Sequence, residues 1–152
     1  LKIGVISDTH GLLRPEVALY LAGVSHIIHA GDIGAERVPN ELRRFAPVIA
    51  IRGNVDVDAW ARDYPETTTV RLGGHGFFVL HDLKDLVAKP APSGINAVIC
   101  GHSHRASVGV VDNVLYLNPG SAGPKRFRLP VTLATVEIDE GGELRPVVHT
   151  LD

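Results

Sequence analysis

Short apolar runs that end in a polar residue recur along this chain. Lys2 to Ser7 is the first, with Asp8 at its tip. A run this short and continuous reads as a buried strand. Leu13, Val17 and Leu21 then fall at helical spacing, with Pro15 early, where the first turn of a helix tolerates it. A helix is therefore expected over Leu13 to Leu21, stopped by Gly23. His26 to Ala30 is a second buried strand, leading into Gly31-Asp32. Ala35 to Phe45 reads as a second helix that Pro47 closes. Val48 to Ile51 is a third strand, leading into Arg52-Gly53-Asn54. Strands alternating with helices imply a parallel sheet with right-handed crossovers.

The second half has a different rhythm. Thr67 to Leu72 and Phe77 to Leu80 flank Gly73-Gly74-His75-Gly76, a hairpin signal. A short helical stretch fits Asp82 to Ala88, and Lys89 to Gly94 reads as a loop. Ala97 to Cys100 is a strand before Gly101-His102-Ser103-His104. Two more hairpins are expected, Ser107 to Val111 with Val114 to Leu117, and Val131 to Ile138 with Glu143 to Val148. This half is expected to be mostly antiparallel. With 152 residues and no linker or repeat, one domain over residues 1–152 is expected.

Composition narrows the classes. The formal charge of −2 supplies no general basic face for nucleic acid. One cysteine, Cys100, excludes an intramolecular disulfide and suits a cytoplasmic location. No apolar run approaches the ~20 residues that span a bilayer, so no membrane role is expected. There are eight histidines in a chain with no methionine.

The chemistry lies at the strand ends. Asp8 and His10, Asp32, Asn54, His81, and His102 with His104 each follow an apolar run. In an open α/β sheet, ligands bind beyond the carboxyl ends of the strands, so these tips can converge. Two Asp, one Asn and four His form a nitrogen and oxygen donor set without thiolate, which suits Mn, Fe, Co, Ni or Zn. Seven protein ligands exceed one transition metal and suit two ions sharing a carboxylate. Two dications against two carboxylates leave about +2, which matches an anionic phosphoester. His26 and His29 are better read as core or backbone-bonded, His75 as exposed in its hairpin and His149 as inert. Arg52, Arg105, Lys125 and Arg126 are candidate phosphate contacts, and Trp60 and Tyr64 could stack on a base or cover a neighbouring subunit.

Asp8-x-His10, Gly31-Asp32, Gly53-Asn54, His81 and Gly101-His102-x-His104, in that order, resemble the calcineurin-like metallophosphoesterase superfamily. Asn118-Pro119-Gly120-Ser121 resembles its small YfcE-type phosphodiesterase branch. The resemblance implies an α/β fold, a four-layer αββα sandwich with mixed sheets. It also implies that Asp8, His10, Asp32 and His104 bind one metal. Asp32, Asn54, His81 and His102 would bind the other, with Asp32 as the bridge and Mn as the favoured ion. The implied activity is hydrolysis of a small phosphoester, most readily a diester, by a metal-activated hydroxide. Asp32, Asn54 and His102 would serve catalysis, and Asn54 and Arg105 would hold substrate. Larger members follow the Asn with an acid His, where this chain has Val55, and Gly is usual where it has Asp82. Asp56, close by, is a weak substitute for that acid. The alternative is a non-catalytic metal-binding scaffold like the retromer subunit of this fold. A homo-oligomer is left open.

Overall fold

The computed structural model describes residues 1–88 and 90–152. Lys89, at the start of the loop expected over Lys89 to Gly94, lies outside the described residues. Two five-stranded sheets pack face to face.

The first sheet opens with strands β1 (Lys2–Ile6), β2 (His26–His29) and β3 (Val48–Ala50), paired in parallel in that order. Its other half is β9 (Thr132–Ile138), antiparallel to β1, and the edge strand β10 (Leu144–Thr150). The second sheet contains β4 (Thr67–Leu72), β5 (His75–Leu80), β6 (Ala97–Ile99), β8 (Val114–Asn118) and β7 (Ser107–Val111), in that spatial order. The expected antiparallel hairpins of the second half are all present, as β4–β5, β7–β8 and β9–β10, but β5–β6 and β6–β8 are parallel, which was not expected. Hydrophobic spacing marks a buried strand but carries no record of its partner. The two-residue hairpins sit where they were expected. Gly73-Gly74 and Asp112-Asn113 all have positive φ, as the right-handed twist of the paired strands favours.

Between the sheets lies a core of Ile3, Val5, Ile28, Phe77, Val79, Ile99, Leu117 and their neighbours. The outer face of the first sheet carries Ile6, Ile27 and Leu133 against helices α1 (Ala18–Leu21) and α2 (Arg37–Leu42). Both helices are shorter than expected. The first turn over Pro15–Val17 is 3-10 rather than α, and α1 ends before Gly23. The outer face of the second sheet, with Phe78, Leu80 and Val98, is covered by Leu86, Ala91 and Ile95. Among the described residues, the fourth layer is thus reduced to the 3-10 turn Leu83–Leu86 with Ala91 and Ile95. No helix among the described residues is long and apolar enough to cross a membrane.

This arrangement positions the site. Because β1, β2, β3 are mutually parallel, and β5, β6, β8 likewise, each sheet gathers its carboxyl strand ends along one rim. The polar tips of both sheets meet there.

Candidate metal centre

The chain bends sharply where each strand gives way to its polar residue. Asp8, His10, Asp32, His102 and His104 all have left-handed backbones, with φ of 55°, 47°, 53°, 72° and 63°. A left-handed residue with a side chain costs on the order of 1 kcal/mol or more. That cost is held in place by hydrogen bonds between loops: Asp8 N to Gly31 O, His10 N to Asp32 O, and Gly101 N to His81 O. Two glycines let the loops touch. A Cβ on Gly53 would overlap Asp32, and one on Gly101 would overlap the Ser7 hydroxyl.

Asp8 is fully buried. Its Oδ2 accepts the Ser7 hydroxyl at 2.8 Å and the His102 amide at 3.1 Å. Its Oδ1 has no hydrogen-bond partner and lies 3.5 Å from His104 Nε2, 3.8 Å from His81 Nε2 and 3.9 Å from His10 Nε2. Burial pushes this carboxyl above the usual range against the pull of His81. Asp32 is turned the other way. Its Oδ1 accepts the Val55 amide at 3.1 Å, and its Oδ2 lies 3.2 Å from His81 Nε2 and 3.6 Å from His10 Nε2. Burial raises the Asp32 carboxyl, but the contacts with His81 and the Val55 amide outweigh it and hold it below the ordinary value.

His81 completes the picture. Its Nδ1 donates to the Ala30 carbonyl at 2.7 Å. In the neutral ring, Nε2 is then a lone pair, and it faces two carboxylate oxygens. Burial lowers the affinity of His81 for a proton, yet Asp32, Ala30 and Asp8 together raise it above that of an ordinary histidine. A positive charge, proton or metal, belongs between these atoms. His10 Nε2 and His104 Nε2 face each other at 3.3 Å. His102 Nδ1 lies 3.3 Å from Asn54 Oδ1, while its Nε2 points to Asp82 Oδ2 at 3.6 Å.

The donors sort into two groups that could each hold a cation, Asp8 with His10 and His104, and Asp32 with His81 and His102. Metal–ligand bonds of ~2.0–2.2 Å at tetrahedral or octahedral angles separate neighbouring donors by roughly 3–3.5 Å. The separations above cluster at or slightly beyond that range. Two buried polar atoms that face one another in this cluster, Asp8 Oδ1 and His81 Nε2, have no hydrogen-bond partner. Buried polar atoms are normally paired, so the residues present fit divalent cations. All seven residues expected from sequence are brought together.

Other expectations change. Asp56 is not aimed at the centre. It is buried, and its carboxylate accepts the amides of Ile33, Gly34 and Gly53. That ties the Asp32 loop to the Asn54 loop, a role sequence reasoning missed. Asn118 was read as a turn residue. It is buried and donates to Gly101 O and Ser103 Oγ, and Ser121 donates to Asp8 O, so this turn braces two of the ligand loops. Arg105, expected to hold substrate, lies away from the cleft and lines a separate depression with Phe127, Arg128 and Leu129. Arg52 donates to Tyr64 O and pairs with Glu66, and Lys125 pairs with Asp152. Trp60 and Tyr64 meet edge to face and pack on the core beneath the first sheet, so neither stands free to stack on a base. His75 is half-buried rather than exposed, bonded to Gly142 O. His29 is fully buried between Thr9 and the Gly31 amide, as a backbone-bonded histidine should be.

Beside Asn54 and His102 opens a cleft of about 300 Å³. Arg52, Asp82 and Asp85 line its far side. Asn54 and His102 are exposed, whereas Asp8 and Asp32 are buried, so a ligand would meet the Asn54–His102 side first.

Comparison with known proteins agrees with this geometry. Residues 1–141 match the model of the calcineurin-like phosphoesterase superfamily domain. A probable metallophosphoesterase of Methanocaldococcus jannaschii is 30% identical over 128 residues, covering 78% of this chain and 67% of that protein. A phosphodiesterase of the same organism is 33% identical over 138 residues, covering 79% and 83%. Among solved structures, an archaeal phosphodiesterase superposes with a TM-score of 0.78 at 28% identity, covering 98% of this chain and all of the other. Vps29 of Entamoeba histolytica, solved with zinc, gives a TM-score of 0.74 at 20% identity over the full length of both chains, a likeness of fold alone.

Proposed function

This chain belongs to the calcineurin-like phosphoesterase superfamily, and from that premise we propose that it is a phosphodiesterase dependent on two divalent cations. Asp8, His10, Asp32 and His104 would hold one ion, and Asp32, Asn54, His81 and His102 the other, with Asp32 shared and Mn favoured. The observation that carries this reading is the His81 ring. Its Nδ1 is committed to Ala30 O, and its Nε2 faces Asp32 Oδ2 at 3.2 Å and Asp8 Oδ1 at 3.8 Å, a nitrogen donor set between two carboxylates.

When bound, the ions supply Lewis acidity that activates water near neutral pH and offsets charge on the phosphoryl oxygens. The chain's own residues set the rest. Ser7 and the His102 amide fix one oxygen of Asp8, leaving the other free as a donor. The Val55 amide does the same for Asp32. Asn54 and His102 stand where the cleft opens, so the Asn54 amide can donate to a phosphoryl oxygen of a substrate lying in it. Val55, 44% exposed beside Asn54, offers no proton to a leaving group. Aryl-type esters are therefore favoured over alkyl esters, whose leaving oxygen needs that proton, and the likeness to a phosphodiesterase supports a diester substrate. The scaffold reading rests on fold likeness alone, and the filled donor set favours chemistry.

The test is hydrolysis of a chromogenic aryl phosphodiester by protein stripped with chelator and reloaded with Mn, Co, Ni or Fe. Activity that returns with metal and is lost in His104→Ala, but not in His149→Ala, is expected. Protein shown to carry metal yet inactive with every ion would overturn the proposal.

A further inference from the structure

Each sheet has two edges, and three of the four are protected in the ways that proteins use against strand addition. Strand β10 carries Arg145 and Pro146, β4 carries Arg71, and β3 is only 3 residues long. Strand β7 has none of these devices. Its sequence is Ser107-Val108-Gly109-Val110-Val111, with no charge and no proline, and every residue is exposed. Val108, Val110 and Val111 are 49%, 67% and 59% exposed. An unprotected apolar edge strand presents unpaired backbone groups and is a template for pairing with another strand.

We propose that β7 is the seam of a homodimer, in which two copies pair β7 to β7 antiparallel and join their second sheets into one. Three features select a second copy in that direction. The first is the backbone. Val111 pairs with Val114 across the two-residue turn, and the closing pair of such a hairpin is a hydrogen-bonded one. Alternation then turns Ser107 and Gly109 inward to β8, and the N–H and C=O groups of Val108 and Val110 outward. A two-fold axis at Gly109 places Val108 opposite Val110 of the copy, and Val110 opposite its Val108. Both outward residues are thereby satisfied in one register. The second feature is the space at that axis, since a Cβ on Gly109 would meet nothing within 4 Å. The third is charge. Arg105 stands before the strand and Asp112 after it, both exposed. Antiparallel pairing brings Arg105 of each copy beside Asp112 of the other, whereas parallel pairing sets like charges together.

The contact is short, so the dimer is concentration-dependent, in the class of small interfaces. Its seam begins one residue past His104. Asp112 of the copy would thus hold Arg105 at the border of the metal centre.

Sedimentation velocity on the full chain, from about 10 µM to about 500 µM, tests this. The wild type should pass from monomer to dimer across that range. Val110→Lys should remain monomeric, with Val87→Lys, exposed on another surface, as the dimeric control. Thermal unfolding of both variants verifies that they fold. Asp112→Asn keeps the left-handed turn, because Asn tolerates it. It should weaken the wild-type dimer several-fold and strengthen the dimer of Arg105→Asp, where it removes a like-charge pair. A wild type that stays monomeric throughout would overturn the proposal. So would a dimer that Val110→Lys leaves intact, or an Asp112→Asn effect of the same sign in both backgrounds.

Discussion

The Asp56 carboxylate accepts the backbone amide of Ile33 at 3.0 Å, and with its other contacts it fastens the loop of Asp32 to the loop of Asn54. Two of the seven donors thus owe their relative position to a residue that touches neither. Asp56→Ala leaves three amides without their acceptor. It is expected to cost about 3 kcal/mol of stability, by the scale for buried groups losing a charged partner, and to weaken metal binding. Asp56→Asn, which retains one carbonyl oxygen, should lose less of both. Denaturant midpoints and metal titrations read the two effects. If Asp56 served as a proton donor, Asp56→Asn would instead abolish turnover with metal affinity intact.

A second relationship concerns His102. With Nδ1 near Asn54 and Nε2 3.6 Å from Asp82 Oδ2, the ring lies between the proposed metal position and a carboxylate, and a small closing of that gap would give a carboxylate–histidine–metal arrangement. Asp82→Gly, which restores the residue usual in the resembling family, should lower metal affinity by roughly tenfold or more. The loss should fall on one of two binding steps in calorimetry, leaving the other unchanged.

How much of this was legible in the sequence differs by element. Asp8, Asp32, Asn54, His81, His102 and His104 announced themselves because each ends an apolar run, and the parallel strands deliver them to one rim. Their left-handed backbones left no mark, since sequence signals that conformation mainly through glycine, and these are Asp and His. Asp56 was misread because its partners are backbone amides, Gly53 of its own loop and Ile33 and Gly34 of a distant one, which no side-chain pattern records. The parallel pairing of β5, β6 and β8 was missed for a related reason: alternation encodes a buried face and not a neighbour. Helix α2 was read too long at both ends, where bends and turns replace helix without any change in apolar spacing.

Stability should depend on pH through His29. Burial drives its pKa down to about 3 in the folded protein, from the ordinary histidine value of 6.5. The unfolded chain therefore binds the extra proton between those two values. Stability is fully present above about pH 6.5 and falls as pH drops toward 3, by roughly 1.4 kcal/mol per pH unit from this one group. Urea denaturation of metal-free protein at pH 7, 6 and 5 should show that slope in the wild type and a smaller one in His29→Gln. Equal slopes would exclude His29 as the source.

On the proposed activity, Val55 is the residue that would limit the leaving group. Val55→His introduces a proton donor beside Asn54 on an exposed position. General acid catalysis is worth ~10²–10⁴-fold, so kcat/KM for an alkyl phosphoester should rise by about tenfold or more. The rate for a nitrophenyl ester, whose leaving group departs unaided, should change little. A rise of the same size for both substrates would contradict the assignment.

The central claim is that two cations sit side by side between the two donor groups. Anomalous diffraction from crystals soaked in excess Mn at neutral pH tests it most directly. Two peaks are predicted, one bounded by Asp8, His10 and His104, the other by His81, His102 and Asn54, with Asp32 touching both. A single peak, or none, in crystals of the folded protein would contradict the account.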